Sequence, residues 1–289
     1  FLVCLFAFSQ IPMGKRPSAP FEGPQGEPNT LGGYLVLMLS IVFGLLLTLK
    51  EKRIKIFLFI LVLFIAVSLA ATLSRSSWIA LVPMSLALLY FSEKKRIILT
   101  VLLLIIFVGP IILPPTVRER ALYTVTQSKE EGQIQLGGTR IDTSTSARLM
   151  SWKVVLTRDF IEQPLLGYGI TGYSFMDAQY PRVLAETGLI GMTTFLMLLF
   201  TIYKHTRLTY EQTRKPFFRG LSLGYLAGFF AMVAHGIGAN TFIIVRIMEP
   251  FWFLTAMIIM IPAIENKELT GEATGMDFKI ASPDRMWHK

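Results

Sequence analysis

The sequence predicts an all-α fold: a polytopic membrane helix bundle of about eight spans, with one long extracytoplasmic loop that contains an amphipathic helix. Three observations carry this prediction. The chain is 53% hydrophobic and only 16% charged, with a mean hydropathy of +0.55, and its apolar runs are longer than a soluble domain ordinarily carries. Its basic residues gather in clusters beside those runs. Only one polar stretch, 115–182, is long enough to fold outside a bilayer.

A hydrocarbon core of ~30 Å needs roughly 20 apolar helical residues. The spans read as 1–13, 31–49, 55–73, 77–92, 97–114, 183–203, 217–237 and 242–264. The first is cut short: the chain starts at Phe1 inside an apolar stretch, without a methionine, and reads as a fragment lacking its N-terminal spans. That stretch is too short and too oddly placed for a signal peptide. The fourth span is short and contains Pro83, so a kink or use of flanking residues is expected.

Three basic clusters orient the bundle. Lys50, Lys52, Arg53 and Lys55 join the second and third spans; Lys94, Lys95 and Arg96 join the fourth and fifth; Lys204, Arg207, Arg214, Lys215 and Arg219 join the sixth and seventh. All fall on one side, which positive charge marks as cytoplasmic. The other side receives Gly14–Thr30, Ser74–Ser76, loop 115–182 and the turn His235–Asn240. Within the long loop, Gln127–Ser146 is polar and rich in Gly, Thr and Ser, and is expected to be mobile. Over Ala147–Phe160, Leu149, Trp152, Leu156 and Phe160 recur at helical spacing, which predicts an amphipathic helix on the membrane or on the bundle. The organisation is therefore N-terminal spans (1–114), loop (115–182), C-terminal spans (183–264) and a polar, disordered cytoplasmic tail (265–289), with no internal repeat.

Several function classes fall away. The net charge of +9 comes from residues that orient spans and meet anionic lipid, so no nucleic-acid partner is expected. Cys4 is the single cysteine and there are three histidines, so no disulfide, no metal cluster and no cofactor are expected. A serine-hydrolase triad lacks a nucleophile-elbow motif. Gly167-Tyr168-Gly169-Ile170-Thr171-Gly172 matches a dinucleotide fingerprint only in spacing. No βαβ unit surrounds it, and it reads as a tight turn that uses glycine's freedom at positive φ.

The most informative stretch is Ser146–Phe200, where a polar segment with arginines and a carboxylate runs unbroken into an apolar helix. Charge at that depth is expensive and suggests a site. Arg75 sits at a span junction and can either snorkel to headgroups or grip a phosphate through its planar fork. Arg148, one turn from Trp152, is placed to face a lipid-linked anion; Lys153, Arg158 and Arg182 add cations that acidic neighbours nearly balance. Asp177 and Glu186 are the carboxylates nearest the junction. Either can serve as a base, and Glu186 can equally pair with Arg182 at i,i+4. Arg16–Asn29 reads as a proline-rich loop ending in an Asn helix cap. Arg246 and Glu249, spaced i,i+3 in the last span, are a pair with either a functional or a structural role.

Four stretches together resemble the bacterial O-antigen ligase/polymerase family of integral membrane glycosyltransferases. They are Arg16…Phe21…Pro28-Asn29…Gly32-Gly33-Tyr34; Ser74-Arg75; Arg148…Trp152…Pro164-Leu165-Leu166-Gly167-Tyr168-Gly169; and Gln179-Tyr180…Leu184-Ala185-Glu186-Thr187-Gly188-Leu189-Ile190-Gly191. Their order and shared extracytoplasmic side carry the match. Where the family often has His-Asn or Asp-Asn, this chain has Asp177-Ala178, and Pro181 replaces an apolar residue. The histidine associated with ligases is absent, which favours a polymerase-like member.

The resemblance implies a polyprenyl-pyrophosphate-linked oligosaccharide as donor and a glycan or lipid as acceptor. It places the reaction at the outer face of the bacterial cytoplasmic membrane, with a chain-length regulator or flippase as a further partner. Arginines would hold the pyrophosphate in place of a divalent cation, and a carboxylate would take the acceptor's proton. Catalytic roles are assigned to Arg75, Arg148, Asp177 and Glu186, and substrate contacts to Arg16, Asn29, Arg158, Arg182, His235 and Arg246. The rival readings are a ligase, including one that glycosylates proteins, a transporter, and a non-catalytic subunit of a polysaccharide export system. A transporter should show matched halves and mid-membrane charge; here the halves differ and charge gathers at one face.

Overall fold

The computed structural model describes residues 1–13, 16–20, 26–136, 138–174 and 176–269. Phe21 of the first family stretch and the tail expected beyond Leu269 lie outside the described residues. The helices are α1 (Leu2–Gln10), α2 (Pro28–Thr48), α3 (Lys52–Ala71), α4 (Arg75–Phe91), α5 (Lys95–Ile112), α6 (Pro115–Thr126), α7 (Thr143–Val154), α8 (Phe160–Glu162), α9 (Gln179–Gln212), α10 (Pro216–His235) and α11 (Val245–Leu269). A π-helical turn, Val155–Asp159, joins α7 to α8. Among the described residues the only strand pairing is the two-residue antiparallel ladder of Gln135–Leu136 with Thr139–Arg140.

Among the described residues five helices are long and apolar enough to cross a membrane: α2, α3, α9, α10 and α11. This is a multi-pass pattern, and their outer faces agree with it. Phe57, Phe59, Leu63 and Val67 of α3 and Phe253 and Met260 of α11 are exposed, a surface that water would not tolerate at this extent. Each expected span coincides with a helix to within a few residues, but α9 starts earlier and ends later than the span expected at 183–203. Helix starts follow local chemistry. Pro28 and Pro216 occupy the first turns of α2 and α10, where a missing N–H costs nothing. Asn29 is not the cap of α2: Glu27 holds that position, and the Asn29 side chain turns to Ser74 instead.

The core is built on α2 against α10. Gly220, Gly224 and Gly228 of α10 fall at every fourth position and meet Ser40, Gly44 and Thr48 of α2. A Cβ added at Gly224 would lie 2.6 Å from the Ser40 carbonyl oxygen, and one at Gly44 would lie 2.4 Å from the Gly220 carbonyl oxygen. Such small-residue stripes let helix backbones touch where lipid removes the hydrophobic drive for association. Both helices are mostly buried, while α3, α9 and α11 pack around them.

The three basic loops converge at one end of this core. Arg219 pairs with Glu93 at 2.6 Å, Lys94 donates to the Leu47 carbonyl, and the Tyr210 hydroxyl donates to the Phe91 carbonyl at 2.8 Å. The turns after α1, α3 and α10, together with α6 and α7, lie at the other. Within segment 127–146, read from its composition as mobile, several described residues make hydrogen bonds. Gln127 accepts from the Thr143 N–H at 2.9 Å, the Ile134 N–H donates to Ser146 Oγ at 3.0 Å, and the Asp142 N–H donates to the Thr124 carbonyl at 2.9 Å.

The α2–α10 contact yields a test. Gly224→Leu should force the two helices apart and lower stability by about 1–3 kcal/mol, read as a fall in the melting temperature of the detergent-solubilised protein. An exposed change on the same helix, Phe217→Leu, should leave it within about 0.5 kcal/mol.

Candidate functional site

The turn between α3 and α4 organises the polar end. Leu73 adopts φ +52°, a left-handed conformation that is costly for a non-glycine residue and is kept only where its surroundings impose it. Its carbonyl oxygen accepts from two guanidiniums, Arg16 Nη2 at 3.2 Å and Arg120 Nε at 3.4 Å, and Arg16 Nε also donates to the Thr72 carbonyl at 2.9 Å. Among the described residues neither arginine has a carboxylate in salt-bridge contact. Both guanidiniums are lowered from the usual arginine pKa, first by burial and then by neighbouring cations. These are Arg120 and Arg75 for Arg16, and Arg75 and Arg148 for Arg120. Glu27 acts on Arg16 and Asp142 on Arg120 in the opposite sense, and arginine stays charged regardless.

Arg75 opens α4 beside them, and a carboxylate takes its planar fork. Its two η nitrogens each donate to one Asp142 oxygen at 2.8 Å, and Nη1 also reaches Thr124 Oγ1. Asp142 is fully buried and caps α7, accepting from the Ser144 and Thr145 N–H groups at 3.1 and 3.2 Å and from Thr145 Oγ1 at 2.7 Å. The fork expected to grip phosphate thus fastens α6 and α7 to the edge of α4.

Arg148, in the second turn of α7, donates from Nη2 to Asp177 Oδ2 at 2.9 Å. Asp177 lies just before α9 with 41% of its side chain exposed. Behind the pair runs a buried chain of hydrogen bonds: Asn29 to Ser74 (2.8 Å), Ser74 to Ser77 (2.9 Å), Ser77 to His235 (3.1 Å) and His235 to Thr241 (2.7 Å). His235 is completely buried, with both ring nitrogens engaged. The expected substrate contact at His235 is therefore not an open one.

The two glycine-rich stretches clasp one another. Gly188 breaks α9 at φ +62°, ψ −161°, a region open to glycine alone. The backbone groups freed by the break pair with the loop after α8: Tyr168 N–H with the Ala185 carbonyl and Gly169 N–H with the Glu186 carbonyl, both at 2.9 Å, and Leu189 N–H with the Pro164 carbonyl at 2.8 Å. A Cβ at Gly167 would lie 2.5 Å from the Ala185 oxygen, and one at Gly188 would lie 2.3 Å from the Leu165 oxygen. The Gly-x-Gly run is thus a turn, as its sequence context indicated.

The remaining assigned residues separate. Arg182 pairs with Glu186 at 3.0 Å, i to i+4, and the Glu186 side chain is only 11% exposed. Arg158 pairs with its neighbour Asp159 at 2.7 Å, and Tyr173 also donates to Asp159; this group does not join the arginine cluster. Burial alone would raise Asp159, but Tyr173 and Arg158 hold it below the usual carboxylate value. Arg246 is half-buried in the first turn of α11, and Glu249 is exposed. Asn29, Arg16, Arg75, Arg148, Asp177 and His235 are thus brought to one end of the core; Arg158 lies apart. Sequence reading missed Arg120, Asp142 and the helix α6 that carries Arg120. A capping pattern, Asp142 ahead of Thr143-Ser144-Thr145, was the available signal for Asp142.

A helical bundle with a multi-pass pattern and a cluster of arginines at one end is the pattern of a multi-pass membrane protein. The family model described as O-antigen ligase matches residues 59–187, from α3 to the break in α9, and the chain is similar to that family over this stretch. The match includes Arg75, Arg120, Asp142, Arg148, Asp177 and Glu186, and it supports a membrane enzyme of the glycosyltransferase type. No curated protein matches the chain.

The Arg75–Asp142 latch predicts a pH signature. Burial raises the Asp142 carboxyl, but Arg75 and Thr145 hold it at about 2, below its ordinary 3.8. A depressed carboxylate contributes stability that is present above the ordinary value and is lost as pH falls through the folded value. Asp142→Asn should cost on the order of 2 kcal/mol at neutral pH. The gap in melting temperature from the parent protein should stay constant from pH 7 to pH 5, then shrink toward pH 2.

Proposed function

We propose that the protein transfers or polymerises oligosaccharide from a polyprenyl-pyrophosphate donor at the outer face of the bacterial cytoplasmic membrane. One observation carries this reading: four arginines, Arg16, Arg75, Arg120 and Arg148, gather at one end of the bundle, and among the described residues the hydrogen bonds of Arg16 and Arg120 go to backbone carbonyls. A pyrophosphate is the ligand that such a cluster suits best. The match to the O-antigen ligase model supports a lipid-linked oligosaccharide as substrate.

In this reading Arg16, Arg120 and Arg148 hold the pyrophosphate, and Arg75 acts through Asp142 by positioning α7. The acceptor hydroxyl oxygen attacks the anomeric carbon of the donor sugar. The bond from that carbon to the pyrophosphate oxygen breaks, its electron pair leaves with the pyrophosphate, and the proton passes to Asp177. Arginine charge offsets the charge that develops on the leaving group. The resting Arg148–Asp177 pair fits this sequence, because a donor that draws Arg148 to its phosphates also frees the base. Asp177 is the better base on exposure, with 41% of its side chain open against 11% for Glu186, which is committed to Arg182. An aspartate where the family often has histidine favours a polymerase. The description of the matched family keeps the ligase as a second reading.

We further infer that α1, α4 and α5 complete a set of about eight spans, with 115–182 as the extracytoplasmic domain. The outward apolar residues of α5, among them Leu104, Ile105, Ile106 and Phe107, support this. The basic loops then lie in the cytoplasm, and a chain-length regulator or flippase would meet the enzyme in the membrane.

Two experiments test this. Single cysteines at 127–145 and at 93–96, in a background with Cys4 replaced, should react with an impermeant thiol reagent on intact cells at the first site only. The opposite pattern would refute the orientation. Asp177→Asn should reduce transfer of a lipid-linked repeat unit in membranes roughly 100-fold or more, with Glu186→Gln less damaging. Full activity of the Asn variant would remove Asp177 as the base.

A further inference from the structure

Two buried polar atoms behind Asp177 have no partner among the described residues: Nε of Arg148, a donor, and Oδ1 of Asn240, an acceptor. Buried polar groups are almost always paired, and an orphan at a reaction centre calls for an explanation. Asn240 lies in the turn between α10 and α11 and is only 7% exposed. Its amide orientation is fixed, because Nδ2 donates to the Met176 carbonyl at 2.6 Å, and a flipped amide would set two oxygens against each other. Oδ1 is therefore the atom left over. Met176 immediately precedes Asp177, and Arg148 bonds to Asp177. The unpaired acceptor and the unpaired donor thus belong to side chains bonded to two successive residues, Met176 and Asp177.

A hydroxyl group both donates and accepts, so one hydroxyl can answer both orphans. It is not the attacking hydroxyl, whose single proton goes to Asp177. We propose that Asn240 and Arg148 bind the hydroxyl next to the attacking one, so that the site selects an acceptor sugar carrying a vicinal diol at the position of linkage. This inference rests on the transfer reaction proposed above and adds its acceptor subsite. Arg148 is held by Asp177 at rest, so in this proposal release of that ion pair by the donor admits the acceptor. The structural alternative, that Asn240 serves only to tether Met176, predicts no selection among hydroxyls.

The experiment uses membranes containing the full chain and a lipid-linked repeat unit extracted from its host as donor. Methyl glycosides of glucose, galactose, mannose and rhamnose, with their monodeoxy forms, compete as acceptors. The expected result is a glycoside that competes, with the loss of one ring hydroxyl weakening it roughly tenfold or more. Asn240→Leu should erase that difference and weaken the parent glycoside to the level of its deoxy form, with the KM for donor unchanged. Asn240→Ser replaces it if the leucine variant does not accumulate. Transfer that proceeds without discrimination among the deoxy forms, or discrimination that survives in the variant, overturns the inference and leaves the transferase reading standing. Full transfer in both Asp177→Asn and Arg148→Ala, or none by the unaltered protein, overturns the two together.

Discussion

Close backbone contact between α2 and α10 is the constraint on which the rest of the molecule depends. Glycine, serine and threonine at every fourth position allow it, and its consequences reach both ends of the bundle. At one end it brings the turns that carry Lys94 and Arg219 together. At the other it sets Asn29, at the start of α2, and His235, at the end of α10, close enough to be bridged by Ser74 and Ser77 of α4. The turn after His235 then supplies the docking surface for α9. Gln179 donates its N–H to the Gly236 carbonyl at 3.0 Å and accepts the Phe242 N–H at 2.9 Å. The catalytic carboxylate we assign, two residues earlier, inherits its position from that docking.

The polar end solves an electrostatic problem. Four guanidiniums in one region repel each other, and burial strengthens the repulsion. Two of them are balanced by carboxylates of very different character. Asp142 is sealed in and fully committed, so the charge of Arg75 is spent on architecture. Asp177 is half open and makes one bond to Arg148, so that pairing is exchangeable. Arg16 and Arg120 share the Leu73 carbonyl, Arg16 also bonds to the Thr72 carbonyl, and Arg120 lies over the Tyr123 ring. A carbonyl offers only partial charge in return, which is why we assign the pyrophosphate to this cluster.

Much of this was legible in the sequence because it depends on local pattern. Apolar runs located the helices, and basic loops grouped their ends. Gly167 and Gly169 marked a turn. Arg148 and Asp177 were each recognisable from their setting, although their direct pairing was not. What escaped depends on distant residues. Asp142 lies 67 positions from Arg75, and nothing in the loop's polar composition distinguishes a buried cap from a solvated aspartate. Arg120 was hidden because the segment after Pro115 carries too little apolar periodicity to announce a helix. The stripe Gly220, Gly224, Gly228 was visible at its regular spacing, but only the matching Ser40, Gly44 and Thr48 on another helix give it meaning. His235 looked available as an isolated polar residue at a span end, and tertiary packing closed it off.

The break in α9 has a mechanical consequence. An unbroken helix would make its first turns a rigid extension of the membrane segment, so any tilt of that segment would swing Arg182 and Glu186. At Gly188 the chain instead trades bonds along its own axis for bonds to the loop after α8. The nine residues Gln179–Thr187 are thereby tied to the loop after α8 and, through Gln179, to the turn after α10, as well as to the long helix that follows. In the reading proposed above, the joint at Gly188 lets the long segment that follows tilt without carrying the turns next to Asp177 with it.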